Sequence, residues 1–322
     1  FELLVLTSNF YIVREVETVA ACPPPPPLED RMPTLLFMAC SPEMPEKAEE
    51  KLLEFEAEED AIYRATRDRA IDVEVEDTGS LYGLADRLRA EAFDVLHLSG
   101  HAGIGSGGPF LCMENDIGLR HNADPDTLWS DCLEYRTPRV VFVSACRTAN
   151  SDPNRAASSF CETLVEKGVP CAVGWGVSVE DTAATRAAQC FYSELAAGRS
   201  VLEAAARARA SLIREGNGYW PFIRVFMPPA VRNLPLVREP RPGDPPRKHT
   251  RRETRFHYLK GAGVQVLSEG FIGRRRFVQK GLAALRDRDA NNIGIFIHGT
   301  GGLGKSCLAG KLIERDRIQN LI

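Results

Sequence analysis

Short apolar runs recur along residues 34–175, and between them the spacing of apolar residues changes from two to nearly four. TLLFMA (34–39) is an unbroken apolar run, and IDVEVE (71–76) alternates in period two. DVLHLS (94–99), RVVFVSA (139–145) and PCAVGW (170–175) are again nearly continuous. Such runs predict strands covered on both faces, because a strand with one solvated face shows apolar residues only at alternate positions. Residues 46–69, rich in Glu, Ala and Lys, predict a helix, as do residues 80–91 with Leu81, Leu84 and Leu88 on one stripe. Asp152-Pro153-Asn154 is a helix start for 155–168, and two further helices are predicted over 181–197 and 200–215 around the Ala-Gly-Arg-Ser break. Strand and helix in alternation predict an α/β fold with a doubly wound, mostly parallel sheet flanked by helices. Right-handed crossovers then bring the C-terminal strand ends to one edge, where such sheets bind ligands.

Two segments interrupt this order. CPPPPP (22–27) predicts an extended loop, since consecutive prolines lack the donors for helix or sheet. Residues 237–258, VREPRPGDPPRKHTRRETRFHY, are Pro-rich, charged and poor in aliphatics, and predict a linker between a domain over 1–236 and another beginning at 259. The arginines there read as a solvated linker rather than a nucleic-acid surface. A length of 322 residues fits about two domains. The 44% hydrophobic and 26% charged content is that of a soluble globular protein, and a net charge of −4 is too close to neutral to argue for nucleic acid as a global partner, so none is expected. No apolar run reaches the ~18 residues of a membrane span and no signal peptide is visible, so a cytoplasmic protein without a membrane partner is expected. The chain opens on Phe1 rather than methionine, and is expected to lack its true N-terminus. Its nine cysteines are odd in number, irregular in spacing and without a Cys-x-x-Cys pair, which excludes a regular disulfide framework or zinc cluster and predicts reduced, mostly buried thiols.

Candidate chemistry lies at two strand ends. In DVLHLSGHAG (94–103) an apolar run ends in Ser-Gly and then His101, and in RVVFVSACRTAN (139–150) a second run ends at Cys146. The separation of 45 positions (146 − 101) leaves room for one crossover that sets the two strands side by side. A free thiol of pKa ~8.5 is only a few per cent thiolate at neutral pH, so a nucleophilic cysteine needs a base beside it. An imidazole supplies that base and later protonates a leaving amine. The competing reading is that both are ordinary core residues. His97 and His101 are four apart, which on a strand spreads them by roughly 13 Å and excludes a shared metal; His97 instead packs or bonds within the sheet. Ser99 and Ser144 lack a Gly-x-Ser-x-Gly elbow and are not predicted nucleophiles.

DVLHLSGHAG and VVFVSACRTA resemble the His and Cys motifs of the CHAT proteases, caspase-like cysteine peptidases related to separase. FELL (1–4) and FYIVREV (10–16) resemble the start of that domain, and GWGVSVEDTAATRAAQCFYSELAAGRSVLEAAARAR (174–208) resembles its Trp, acidic, Phe-Tyr, Leu and Gly pattern, so the resemblance covers 1–232. It implies His101 as general base and acid and Cys146 as nucleophile. It also implies an oxyanion site made by the backbone N–H groups of Ala102 and Cys146. The family has Gly directly after the histidine where this chain has Ala102 followed by Gly103; alanine still carries the N–H, provided its backbone does not require glycine. Glu180 and Asp181 align near the rim, as a pocket for a basic P1 residue or as carboxylates at a solvated helix N-terminus.

A second motif closes the chain. IGIFIHGTGGLGKS (293–306) fits G-x-x-x-x-G-K-[ST], after an apolar run that predicts a strand and before a predicted helix. In this setting the backbone N–H groups around Gly299, Gly301, Gly302 and Gly304 wrap phosphates, Lys305 neutralises β/γ charge and Ser306 ligates Mg²⁺. With GFIGRRRFVQKGLAAL (270–285) the motif resembles the entry to STAND-class NTPases, the NACHT and NB-ARC switch modules, which implies ATP or ADP with Mg²⁺ as cofactor and places Phe271-Ile272-Gly273-Arg274 near the adenine. No Walker B acid occurs before Ile322, so this stretch alone is not expected to hydrolyse ATP.

Together the two resemblances imply a cysteine endopeptidase effector under a nucleotide switch. Its expected partners are a protein substrate, a C-terminal sensor of repeats beyond Ile322, and other copies of itself in a trigger-induced homo-oligomer. The expected setting is cleavage of a host protein in an immune, antiviral or cell-death response. The alternatives are a catalytically silent caspase-like scaffold that transmits assembly, and an NTP-driven regulator whose front domain binds partners.

Overall fold

The computed structural model describes residues 11–18, 32–42, 54–67, 69, 71–115, 118–146, 156–231, 236, 256–258, 265–267, 274–286 and 294–319. Two compact units divide the chain, Phe1–His249 and Thr250–Ile322. In the first, the elements are β1 (Arg14–Glu15), β2 (Thr34–Ala39), α1 (Phe55–Thr66), β3 (Asp72–Glu76), α2 (Leu81–Ala90), β4 (Val95–Gly105), β5 (Gly108–Glu114), β6 (Arg120–Ala123), α3 (Pro125–Leu128), β7 (Val140–Cys146), α4 (Ala156–Lys167), β8 (Ala172–Trp175), α5 (Asp181–Ala196), α6 (Val201–Arg214) and β9 (Ile223–Met227).

The strands form one sheet in the order β1-β9-β8-β7-β4-β2-β3, with β5 and β6 attached to the far end of β4. Pairing is parallel from β3 through β2, β4 and β7 to β8, antiparallel at β8–β9, and parallel again at β9–β1. The fold is therefore α/β with a mixed, mostly parallel sheet. Side chains alternate strictly between its faces. Leu35, Phe37, Val95, Val140, Phe142 and Val173 pack on one face with α1, α5 and α6. Leu36, Met38, Leu96, Leu98, Val141 and Val143 pack on the other with Leu84 and Leu88 of α2 and Phe160 and Leu164 of α4. Both faces are covered, which is why these strands read as continuous apolar runs. Each fully buried Leu or Phe contributes about 1.5–3 kcal/mol by leaving water.

Strands stand where the five runs predict them, and helices cover 81–90, 156–167, 181–196 and 201–214. Ser200 starts α6 as a capping box: its hydroxyl accepts from Glu203 N–H, and the Glu203 carboxylate accepts from Ser200 N–H at 2.8 Å. The sequence pattern did not predict β1, β5, β6 or β9. Residues 43–53, CPPPPP and positions 237–255 lie outside the described residues.

One buried charge braces the end of the sheet. Arg209 of α6 is 1% exposed and donates through Nε and a terminal nitrogen to Ile223 O (3.2 and 2.7 Å), and through that same nitrogen to Ile12 O at 3.1 Å. Burial pushes its guanidinium down to about 10, the direction expected when a cation loses water without gaining an anion. Arg209→Leu is expected to lower the unfolding free energy by about 2–4 kcal/mol, because the buried Ile223 carbonyl and the partly buried Ile12 carbonyl lose their donor. Urea unfolding followed by circular dichroism measures this; a loss below about 0.5 kcal/mol would show that the brace is not structural.

In the second unit, β10 (Phe256–Tyr258) pairs antiparallel with β11 (Gln265–Leu267), and α7 (Arg275–Arg286) packs on α8 (Lys305–Gln319) through Val278, Leu282, Leu308 and Leu312. The strand predicted just before the glycine-rich loop is not found. Residues 294–299 pair with no strand among the described residues, and Phe296 is 86% exposed. An apolar run becomes a strand only where a neighbour takes up its backbone hydrogen bonds.

Candidate active site

Strands β4 and β7 lie side by side in parallel register from Val95↔Val140 to His101↔Cys146. The two residues singled out at strand ends are thus direct register partners, on adjacent strands whose spacing is about 4.8 Å. Alternation puts the positions His97, Ser99 and His101 on one face of β4, and Phe142, Ser144 and Cys146 on the same face of β7, the face covered by α1, α5 and α6.

Neighbouring residues shape this end of β4. Up to Ser99 the strand pairs with β2; from His101 it pairs antiparallel with β5, where His101 lies opposite Cys112. The change of partner occurs at Gly100. Cys40, just past β2, donates its N–H to Ser99 O at 2.7 Å, and a Cβ on Gly100 would stand 3.1 Å from Cys40 Cβ and 3.3 Å from its carbonyl oxygen. A residue without a side chain lets the two backbones approach this closely without displacing Cys40. Ala102 is buried in the strand opposite Leu111. Arg274 alone among the described non-glycine residues has a positive φ, so alanine fits at 102 where the resemblance has glycine.

One alternation step back lies a polar layer. The His97 ring is fully buried and stacked between Phe37 (5.2 Å) and Phe142 (5.0 Å), with Nδ1 2.9 Å from the Tyr192 hydroxyl. Its Nε2 faces Glu58 Oε1 at 3.4 Å, an ion-pair contact too long for a well-formed hydrogen bond. Glu58 of α1 accepts from Ser99 Oγ at 2.7 Å and from Ser144 Oγ at 2.6 Å. Burial pushes its carboxyl up, but the His97 ring and the two hydroxyls outweigh burial and hold it below the usual carboxylate range. Burial first, and then the Glu58 charge, push the Tyr192 phenol well up. His97 therefore packs within the sheet between Phe37 and Phe142 but bonds to the helices that cover it, and Ser99 and Ser144 are hydrogen-bonded to a carboxylate.

Glu180 is the exposed residue preceding α5 and makes no side-chain cap bond. Asp181 Oδ2 accepts from the backbone N–H of Glu54, the N-cap of α1, at 3.3 Å. The two helix starts meet there, and the Asp181 carboxylate faces a helix N-terminus. Three other thiols are ill suited to reaction: burial pushes Cys132 up to about 12 and raises Cys161 and Cys171 further. Among the described residues no group of three His, Cys, Asp or Glu side chains has metal-binding geometry, and no helix is long and apolar enough to cross a membrane.

In the second unit, Gly299, Gly302 and Gly304 have φ of 148°, 77° and 70°, conformations that favour glycine. Gly301 stands in open space. Lys305 donates through Nζ to Thr300 O at 2.8 Å, and Ser306 is exposed on the first turn of α8. Phe271, Ile272 and Gly273 lie outside the described residues.

The residue that sequence reasoning missed is Glu58. It lies in the acidic run Glu56-Ala-Glu-Glu-Asp60, which reads as a solvated face. The signal was its spacing: Phe55, Glu58, Glu59, Ile62 and Thr66 form one buried stripe at helical intervals.

The sequence profile of the CHAT domain matches residues 9–241. No curated protein matches the chain. Among solved structures, it is similar to the Arg-specific cysteine proteinase gingipain R (RGPB), at 12% identity and a TM-score of 0.44 over 67% of this chain and 51% of that one. A complex of Porphyromonas gingivalis RgpB pro- and mature domains aligns at 11% identity and 0.41, over 63% of this chain and 49% of that one. Pro-sf-caspase-1 aligns at 13% and 0.36, over 58% of this chain and 84% of that one. The chain spans about half the length of the gingipain R structure it matches.

Proposed function

Because the chain belongs to the CHAT domain family over residues 9–241, we propose that this part is a cysteine endopeptidase in which Cys146 is the nucleophile and His101 the general base and acid. The observation that carries the reading is their register pairing at the C-terminal edge of the sheet. His101 takes the thiol proton, and the Cys146 sulfur attacks the peptide carbonyl. The oxygen that gains charge is held by the N–H groups of Ala102 and Cys146. Protonated His101 then gives its proton to the departing amine, leaving a thioester. Water, deprotonated by His101, cleaves that thioester and frees Cys146. Of the two rim carboxylates, Glu180 is the better candidate for a basic P1 side chain, since Asp181 is engaged at Glu54 N–H.

In the glycine-rich loop Gly299, Gly302 and Gly304 take φ values that favour glycine, Lys305 sits at the helix start, and Ser306 is exposed. We propose that Gly299, Gly301, Gly302, Gly304, Lys305 and Ser306 bind ATP or ADP with Mg²⁺, and that the bound state governs assembly of several copies into an active oligomer. In that scheme the endopeptidase is an effector that cleaves a host protein after a trigger acts on a sensor region.

The test is labelling with peptidyl acyloxymethyl ketones carrying different P1 residues, read by mass spectrometry at the Cys146 peptide. Labelling of Cys146 that depends on P1, fastest with Arg or Lys, is expected. If iodoacetamide reaches Cys146 but no peptidyl probe does, the domain is a scaffold and not a peptidase.

A further inference from the structure

Below the polar layer under His101 and Cys146, the described residues on the same face of β4 and β7, Val95 and Val140, are apolar. Glu58 is 4% exposed and lies across β4 and β7, one carboxylate oxygen taking the Ser99 hydroxyl of one strand and the other the Ser144 hydroxyl of its neighbour. Ser99 and Ser144 are register partners, two residues before His101 and Cys146 on the same face. The other titratable groups at the carboxylate are His97 of β4, at 3.4 Å, and Tyr192 of α5, reached through the His97 ring.

A buried carboxylate stabilises a fold no better than apolar residues of the same volume, because its desolvation offsets its attractions. What it adds is direction. Apolar side chains tolerate small slips between strands, whereas two short hydrogen bonds to one rigid group fix the distance between their donors.

We propose that Glu58 is a positioning residue for the reacting pair: by tying Ser99 to Ser144 it sets how far apart and at what relative height His101 and Cys146 stand. This inference rests on His101 and Cys146 being that pair. The consequence falls on the thiol, because the stabilisation of a thiolate by a neighbouring imidazolium decreases with their separation.

Alkylation of the full chain by iodoacetamide, followed against pH at the Cys146 peptide by mass spectrometry, reads thiolate formation without knowledge of the substrate. In the wild type the midpoint is expected well below the ~8.5 of a free cysteine, and His101→Ala should raise it to about that value. The triple variant Glu58→Leu, Ser99→Ala, Ser144→Ala removes acceptor and donors together, leaves no hydroxyl orphaned, and is expected to melt within about 5 °C of the wild type. Its midpoint should move up by about one pH unit. Glu58→Gln keeps one oxygen and one amide donor for the two hydroxyls and should hold the midpoint near that of the wild type, separating geometry from charge. Should the triple variant not fold, Ser144→Ala cuts one arm of the tie and should shift the midpoint in the same direction by less. A folded triple variant, or a folded Ser144→Ala, with the wild-type profile overturns the positioning role. Identical profiles for wild type and His101→Ala instead refute the pair itself, and the positioning role with it.

Discussion

Cys146→Ala should reduce peptide hydrolysis to background, a loss of at least about 1,000-fold in kcat, with no change in melting temperature. The hydroxyl of Ser144, two residues back, is bonded to Glu58, and Cys161 and Cys171 are buried with their thiols pushed far toward the protonated form. Alanine is compatible with the strand at this position, since the preceding residue of β7 is itself Ala145. His101→Ala should lose activity to a similar extent, because base and nucleophile act as a unit and removing either disables both half-reactions. Both variants are to be assayed on the best peptide from the P1 panel, with enzyme in excess of the detection limit. Turnover that survives in either one sinks the assignment.

Lys305→Ala should weaken ATP binding about 100-fold, the scale expected when one member of a charge pair is truncated. The three glycines would still wrap the phosphates with backbone N–H groups, so binding should fall steeply rather than vanish. Triggered cleavage should fall with it. Alkylation of Cys146 should not change, since the reacting pair and the glycine-rich loop belong to different compact units. A fluorescent ATP analogue titrated against wild type and variant gives the first number, and cleavage of the best peptide after triggering gives the second. Equal affinities would remove Lys305 from the nucleotide site, and lost affinity with undiminished triggering would remove the switch.

What the sequence made legible follows from where each element sits. β2, β4, β7 and β8 are buried on both faces, so their runs are apolar at nearly every position and stand out. The ends of two of them carry His101 and Cys146, and the alternation of strands and helices is enough to bring those ends to one edge. β5 and β6 were hidden for the opposite reason. They project beyond the main sheet from the far end of β4, β5 opens on Gly108-Pro109, and Arg120, His121 and Asn122 of β6 are all exposed. The cue was the Gly-Ser-Gly-Gly run from Gly105 to Gly108 between two apolar stretches, which is hairpin chemistry. Glu58 was obscured by its neighbours, since an acid in an acidic run looks solvated until its partners on other strands are known. Two serines that are 45 positions apart (144 − 99) cannot announce from sequence that they share one carboxylate.

Strand β1 has a bearing on how the molecule is made. Arg14 pairs with Phe226, so the strand's partner is synthesised 212 residues later (226 − 14). At about 5–20 residues per second on the ribosome, β1 waits roughly 10–40 s for β9 to exist. Through that interval it has no native place in the sheet. Being two residues long, exposed and charged, it is a poor template for pairing with anything else that emerges. When α6 and β9 arrive, Arg209 bonds Ile12 and Ile223 together, and an early segment is fastened by one made about 200 residues later. Completion of the sheet thus reports that translation has passed His101, Cys146 and the residues that support them, so a nascent chain cannot present a finished CHAT domain before its own closing strand has been made.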